Sequence, residues 1–148
     1  MSGETTGVVR LTLRLEGLSV LVAALLSYST LGLSWGTFAL FFLTPDISFL
    51  GYLAGPRVGA VTYNTAHSYI GAIACVVAGF LLTIPVLSCA GIIWCAHIGF
   101  DRALGYGLKY STGFGFTHLG IIGWFAKSEP NPAFERDAAK ARRPSTLR

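Results

Sequence analysis

Two long apolar runs without charged residues dominate the sequence. Residues 17–45 and residues 58–100 contain no Asp, Glu, Lys or Arg. A helix needs about 20 apolar residues, at about 1.5 Å per residue, to cross the hydrocarbon core of a bilayer. The pattern therefore predicts an all-α, polytopic membrane protein.

Four transmembrane helices are predicted from the Gly and Pro residues that separate the apolar stretches. Gly32 closes the first, and Pro45-Asp46 breaks the second because proline lacks a backbone donor. Gly55-Pro56 and Pro85 mark the starts of the third and fourth. The predicted spans are about 11–31, 35–54, 57–83 and 86–109, followed by a Gly-rich interfacial segment at 110–123.

The chain divides by composition into two parts. Residues 1–126 are predicted to form a single transmembrane domain. Residues 127–148 form a charged, Pro-containing tail that has too little apolar area to offset the entropy of ordering, so we expect it to be disordered.

The basic residues predict the orientation, because cytoplasmic loops retain Lys and Arg. Arg10 and Arg14 precede the first span, Arg57 separates the second and third, and Arg102 and Lys109 follow the predicted helical core of the fourth. Four spans with both termini in the cytoplasm satisfy all of these positions. Two alternatives are a three-span arrangement, in which the first two segments form a hairpin, and a cleaved signal peptide at the N-terminus.

Composition supports a membrane class and disfavours a nucleic-acid binder. The 148 residues are 53% hydrophobic and 12% charged, whereas soluble domains have about 25% charged residues. The formal charge of +4 comes mostly from the tail, which lacks the aromatic and basic face needed to bind nucleic acid. The three cysteines lie in apolar segments and are interpreted as buried thiols.

His97 and Asp101 form the pair of polar residues in the sequence that most specifically indicates a functional site. They are four residues apart, so they share one face of the fourth helix. An imidazole and a carboxylate at this spacing suit a metal site, or an acid/base with an orienting partner. The structural alternative is an ion pair of Asp101 with Arg102 and a hydrogen bond from His97 to another helix.

The third predicted helix carries a second polar face made of Tyr63, Asn64 and His67. His67 lies about 15 Å along the helix from Arg57, near the middle of a bilayer, so it should face other helices. Interhelical hydrogen bonding, worth about 0.6 kcal/mol per contact, is the alternative to a functional site.

Asp46 and His118 complete the set of candidates, because both are predicted to lie toward the cytoplasm. The predicted metal ligands are His67, His97, Asp101 and His118, and the catalytic candidates are His97, Asp101 and Asp46. Two or three histidines with two aspartates suit zinc, manganese or iron.

Basic and aromatic residues near the predicted helix ends suit the lipid headgroup layer. Arg57, Arg102, Lys109 and Tyr106 are the candidates for contact with a headgroup or another anion. Simple anchoring at the interface is the alternative interpretation.

Several short motifs resemble a known family. They are Pro45-Asp46, Leu50-Gly51-Tyr52, Tyr63-Asn64 and, above all, the stretch from Ala96 to Tyr110. They resemble the bacterial membrane proteins of domain-of-unknown-function family 4260, over about residues 11–123. The resemblance implies an integral protein of the bacterial inner membrane and implies no activity.

A looser similarity is to inner-membrane proteins classed as metal-dependent hydrolases. These combine an early Pro-Asp, a His on a middle helix and a later His-x-x-x-Asp, which would correspond to Asp46, His67, His97 and Asp101. The chain departs from that pattern because Ile47-Ser48, rather than a second acidic residue, follows Pro45-Asp46.

Three functions follow from these observations. The first is an integral inner-membrane protein of unknown biochemical function with a polar His/Asp site near the cytoplasmic side. The second is a membrane-embedded metal-dependent hydrolase of a lipid or a phosphorylated small molecule. The third is a small transporter or proton relay, for which a homo-oligomer would enclose the path. The lipid bilayer is the partner expected in all three.

Overall fold

The structure is a computed structural model that describes Thr5, residues 7–111 and residues 115–121. These residues are mostly helical. The elements are α1 (Gly7–Thr30), α2 (Trp35–Phe42), a 3-10 helix (Thr44–Ala54), α3 (Pro56–Ala66), α4 (Tyr69–Leu81), α5 (Pro85–Leu104), β1 (Phe116–Thr117) and β2 (Gly120–Ile121). The tail at 127–148 lies outside the described residues.

Helix α5 is the centre of the arrangement, since both α1 and α4 pack along it while the 3-10 helix packs on α3. Glycine permits the close approach of α1 and α5. A Cβ added to Gly99 would lie 2.8 Å from the carbonyl oxygen of Gly17 and 2.8 Å from the amide nitrogen of Leu21. The two backbones therefore meet directly, and a side chain at this crossing would push them apart.

The second predicted segment changes helix type where Pro45-Asp46 occurs. Helix α2 ends at Phe42, and Pro45 lies in the first turn of the 3-10 helix, where its missing N–H costs no internal hydrogen bond. Asp46 lies in the same turn. The change of helix type thus places a carboxylate in the middle of an apolar segment.

The third segment differs from its predicted continuous helix over 57–83. Helix α3 ends at Ala66 and α4 begins at Tyr69, with His67 as the C-cap of the first and Ser68 as the N-cap of the second. The Ser68 hydroxyl accepts a hydrogen bond from the Ile70 N–H at 3.3 Å. A serine side chain that satisfies a free N–H stabilises a new helix start, which explains the break.

Helix α5 is shorter than predicted and ends at Leu104 rather than near Lys109. Gly105 adopts a left-handed conformation with φ 96°, and the Tyr106 N–H donates to the Asp101 carbonyl at 2.8 Å. Glycine is favoured at such a helix end because it has no Cβ to clash. The chain then turns back, and β1 pairs with β2 in a short antiparallel hairpin.

The outer surface is apolar, and several polar side chains lie inside. Leu53, Ile70 and Phe80 are 87%, 80% and 79% exposed, whereas His67 and His97 are each 2% exposed. Within the described ranges, two helical segments are long and apolar enough to cross a membrane, Trp35–Ala54 and Pro56–Leu81. Length and composition alone support membrane association only weakly, because core helices and signal sequences share these properties. Four crossings therefore stay a prediction.

Candidate metal centre

Four side chains from three parts of the fold converge on one point. Asp46 comes from the first turn of the 3-10 helix, His67 from the break between α3 and α4, and His97 and Asp101 from successive turns of α5. One ligand atom of each lies within 4.8 Å of all the others. We call these four residues the His/Asp cluster.

The distances within the cluster match the spacing of ligands around a small metal ion. The two Nε2 atoms of His67 and His97 are 3.2 Å apart. The distance from Asp46 Oδ1 is 3.4 Å to His67 Nε2 and 3.5 Å to His97 Nε2, and Asp101 Oδ2 lies 3.5 Å and 3.9 Å from the same two atoms. Ligands about 2.0–2.1 Å from a tetrahedral ion are about 3.3–3.4 Å apart. The side chains are thus close to a ligating arrangement.

A hydrogen bond to the backbone determines which nitrogen of His67 can bind a metal. Its Nδ1 lies 3.0 Å from the carbonyl oxygen of Tyr63, and a carbonyl can only accept, so Nδ1 carries a proton and the neutral ring presents its lone pair at Nε2. This is the arrangement of a metal-binding histidine whose far nitrogen is held by a backbone carbonyl. The Nδ1 of His97 has no hydrogen-bond partner among the described residues.

The cluster is closed on the histidine side and open on the side of Asp46. The side chains of His67 and His97 are 3% and 2% exposed, whereas those of Asp101 and Asp46 are 15% and 35% exposed. Beside the two buried imidazoles, the two carboxylates are partly removed from water, which penalises their negative charge. A divalent cation would compensate this charge, and a small molecule could approach from Asp46.

Tyr63 connects two members of the cluster. Its ring stacks on that of His67 with centroids 3.7 Å apart, and its hydroxyl donates a hydrogen bond to Asp101 Oδ2 at 3.2 Å. Phe49 stacks on the Tyr63 ring with centroids 5.1 Å apart, and Phe42 contacts the His97 ring edge-on at 5.3 Å. These contacts fix the orientation of both imidazoles and of one carboxylate.

The structure does not bring His118 into the cluster. Its Nδ1 accepts a hydrogen bond from the Leu108 N–H at 2.9 Å, and its Nε2 lies 2.9 Å from Nη1 of Arg102. Both ring nitrogens are therefore engaged elsewhere. Burial lowers the pKa of His118, and the Arg102 charge lowers it further.

Arg102 and Lys109 lie next to the cluster on the side where α5 ends. Nη2 of Arg102 donates to the carbonyl oxygen of His67 at 3.3 Å, and the Lys109 ammonium lies over the Tyr63 ring at 5.0 Å from its centroid. Lys109 is 4% exposed, and burial lowers its pKa to about 8. Arg102 thus contacts the backbone of one candidate ligand, and Lys109 contacts the ring that stacks on the same ligand.

Asn64 fixes the position of Lys109. Its side-chain amide donates to the Lys109 carbonyl at 2.8 Å and accepts from the Lys109 N–H at 2.7 Å.

The other two candidates for contact with an anion lie at the surface of the protein. Arg57 is exposed at the start of α3, and Tyr106 is 42% exposed beyond the end of α5.

Sequence reasoning missed two supporting roles. It placed Tyr63 and Asn64 on one face with His67, but it did not connect Tyr63 to Asp101 or Asn64 to Lys109. The i, i+4 spacing of Tyr63 and His67 was the available signal. Their partners are 38 and 45 residues away along the chain, which local spacing does not report.

The chain segments that carry the cluster also line an apolar cavity of about 460 Å³. Its lining includes Pro45, Ala66 and Ile93, which neighbour three of the candidate ligands along the chain or along a helix. Phe41 and Val86 also line it. We call it the apolar cavity.

Comparison with known proteins identifies one family. The profile of the family described as "Domain of unknown function (DUF4260)" matches residues 10–122. No curated protein and no solved structure matches the chain. The match contains all four residues of the His/Asp cluster.

Proposed function

The chain belongs to the family Domain of unknown function (DUF4260), and because that description assigns no chemistry, we propose a function from the site: a membrane-embedded, metal-dependent hydrolase of a lipid or a phosphorylated small molecule. The observation that carries the proposal is the convergence of Asp46, His67, His97 and Asp101 within 4.8 Å. Nitrogen and carboxylate ligands in this ratio suit zinc, manganese or iron.

Hydrolysis is the reaction that this ligand set and its surroundings support best. A divalent ion in the cluster would polarise an ester and make water more acidic. The water oxygen would bond to phosphorus or to a carbonyl carbon, the ester bond would break, and the departing oxygen would take up a proton. Asp46 has the most exposed carboxylate of the cluster, so it is the group best placed to meet that water.

The cationic side chains favour a substrate with an anionic group. Arg102 and Lys109 lie on the side of the cluster where α5 ends, and their charges would attract a phosphate oxygen. Arg57 and Tyr106 are further candidates for contact with a headgroup at the membrane surface. Phosphate esters combine such an anionic group with a bond that metal-dependent enzymes hydrolyse.

A membrane location is part of the proposal. We place the chain in the bacterial inner membrane with four crossings, formed by α1, by α2 with the 3-10 helix, by α3 with α4, and by α5, and with both termini in the cytoplasm. The exposed apolar side chains support this, because Leu53, Ile70 and Phe80 would otherwise face water. In consecutive antiparallel crossings, Asp46, His67 and His97 each fall near the middle of a segment, which supports their meeting at one depth.

Reconstituted activity tests the hydrolase directly. The protein is stripped of metal, placed in lipid nanodiscs, loaded with zinc, manganese or iron, and assayed for phosphate or fatty acid released from phospholipid and for phosphate released from p-nitrophenyl phosphate. We expect hydrolysis that requires one of these metals and is lost in Asp46→Asn, while Thr65→Ala, which removes only a hydrogen bond within α3, retains the activity. No metal-dependent release from any of these substrates would contradict the proposal.

A proton relay is the second candidate, because of one specific contact. The Nε2 atoms of His67 and His97 are 3.2 Å apart with a carboxylate on each side, so one shared proton could pass along the cluster. Such a relay would need a path across the membrane, which a homo-oligomer would enclose. Proton flux into proteoliposomes that persists after chelation of metals would favour this function over the hydrolase.

A further inference from the structure

The apolar cavity is lined by chain segments that also carry the His/Asp cluster. Pro45 and Ala66 line the cavity, and each immediately precedes a candidate ligand, Asp46 and His67. Ile93 also lines it, one turn of α5 before His97. A molecule in the cavity would therefore lie beside the segments that carry three of the four candidate ligands.

The side chains along α5 change from apolar to metal-ligating and then to cationic. Val86, near the start of the helix, lines the apolar cavity, His97 and Asp101 belong to the cluster, and Arg102 lies in the last turn. Apolar space, candidate metal ligands and positive charge thus follow one another along a single axis. A long amphiphile has the complementary order, namely an apolar chain, an ester and an anionic headgroup.

Three of the five exposed residues that line the cavity are apolar. Phe41 and Val86 are 52% and 79% exposed, and Ala90 is exposed as well. The other two, Thr37 and Thr44, carry one hydroxyl group each, so a hydrocarbon chain could enter from the side over mostly apolar surface. Cavities of about 300–1,000 Å³ are typical of sites for small ligands, and this one falls within that range.

We infer that the apolar cavity holds the hydrocarbon chain of an amphiphilic substrate that carries an anionic phosphate headgroup, with its scissile ester at the His/Asp cluster. This inference deepens the proposed hydrolase and rests on it for the reaction, but chain binding itself needs no metal. Each methylene that an alkyl phosphate transfers from water into the cavity should strengthen its binding by about four-fold.

Photo-crosslinking locates the chain. The full-length protein is placed in nanodiscs that contain phosphatidic acid with a diazirine in the middle of its acyl chain, and the labelled peptides are mapped by mass spectrometry. Ala90→Phe fills the cavity wall, and Ala74→Phe is the matched control, because Ala74 is an exposed alanine of α4 that does not line the cavity. We expect labels at residues 37–48 and 86–94 that fall several-fold in Ala90→Phe and stay unchanged in Ala74→Phe.

Competition distinguishes a membrane lipid from a water-soluble phosphate ester. Dodecyl phosphate should displace the label, while butyl phosphate should not; equal displacement by both would show that the headgroup alone is recognised and would overturn the chain site. Equal labelling of Ala90→Phe and the wild type would overturn it too.

Repeating the labelling with EDTA separates the two proposals. Labelling that survives without metal keeps the chain site even if the hydrolase fails, and metal-dependent hydrolysis without cavity labelling overturns the chain site alone.

Discussion

The ring of Tyr63 lies parallel to that of His67, with centroids 3.7 Å apart and an interplanar angle of 14°. The carbonyl oxygen of the same tyrosine accepts a hydrogen bond from His67 Nδ1, and its hydroxyl donates to Asp101 Oδ2. Tyr63 therefore positions two candidate metal ligands while ligating nothing itself. Groups of this kind commonly change metal affinity by about 10–100-fold when they are removed.

Replacing Tyr63 by Phe should weaken metal binding without unfolding the protein. The variant keeps the stacked ring and the backbone carbonyl but leaves Asp101 without its donor, so we expect metal affinity to fall by about ten-fold or more and the free energy of unfolding to fall by about 1 kcal/mol. Competition with a coloured chelator measures the affinity. Tyr106→Phe, at an exposed tyrosine, is the control, and equal affinities in both variants would remove Tyr63 from the site.

Lys109 should make stability rise with pH in the alkaline range. Its pKa is about 8 in the fold, below its ordinary value of 10.5, so the folded state loses the proton first. Below about pH 8 both states are protonated and the cost of burying the charge is fully present. Above it the unfolded state binds more protons, and the free energy of unfolding increases until about pH 10.5. Denaturation of the wild type and Lys109→Met between pH 7 and pH 10.5 should show this increase only in the wild type; the same slope in both would contradict the assignment.

Asn64→Ala should loosen the segment that follows α5. The substitution removes both hydrogen bonds to the Lys109 backbone, and we expect a loss of about 1–3 kcal/mol of local stability. Hydrogen exchange at the Lys109 amide should become faster. Thr65→Ala, which removes only a hydrogen bond within α3, should leave that amide protected, and protection retained in Asn64→Ala would show that other contacts hold the segment.

Gly99→Ala should destabilise the packing of α1 on α5. The new methyl group would lie 2.8 Å from the backbone of Gly17 and Leu21, so the helices must separate, at a cost of about 1–3 kcal/mol. Thermal unfolding in detergent measures the effect. Gly36→Ala, whose Cβ would meet only the Ser34 hydroxyl, is the control, and equal melting temperatures would show that the crossing tolerates the methyl group.

Much of the candidate site could be predicted because polar side chains are scarce in apolar segments. Helical spacing links His97 to Asp101, and the predicted position toward the cytoplasm adds Asp46 to them. The break at His67-Ser68 was not predicted, because the apolar run continues through it and only the capping serine marks it. The end of α5 at Gly105 is also absent from the prediction, although glycine is the common residue at a left-handed helix end.

The position of His118 illustrates what local patterns cannot give. The sequence predicts it as a metal ligand because it follows the last predicted span and should lie toward the cytoplasm. The turn after α5 instead places its ring against Leu108 and Arg102. That outcome depends on hydrogen bonds between residues far apart in sequence, whereas the His97–Asp101 pair depends only on one turn of helix.

Metal content of the purified full-length protein, measured by mass spectrometry, tests the His/Asp cluster most directly. We expect about one zinc, manganese or iron per chain in the wild type and in His118→Ala, since His118 lies outside the cluster, and loss of that metal in His97→Ala and Asp101→Ala with the helical content retained. A folded wild type that holds no metal even after reconstitution, or a His97→Ala variant that holds as much as the wild type, would contradict the metal centre.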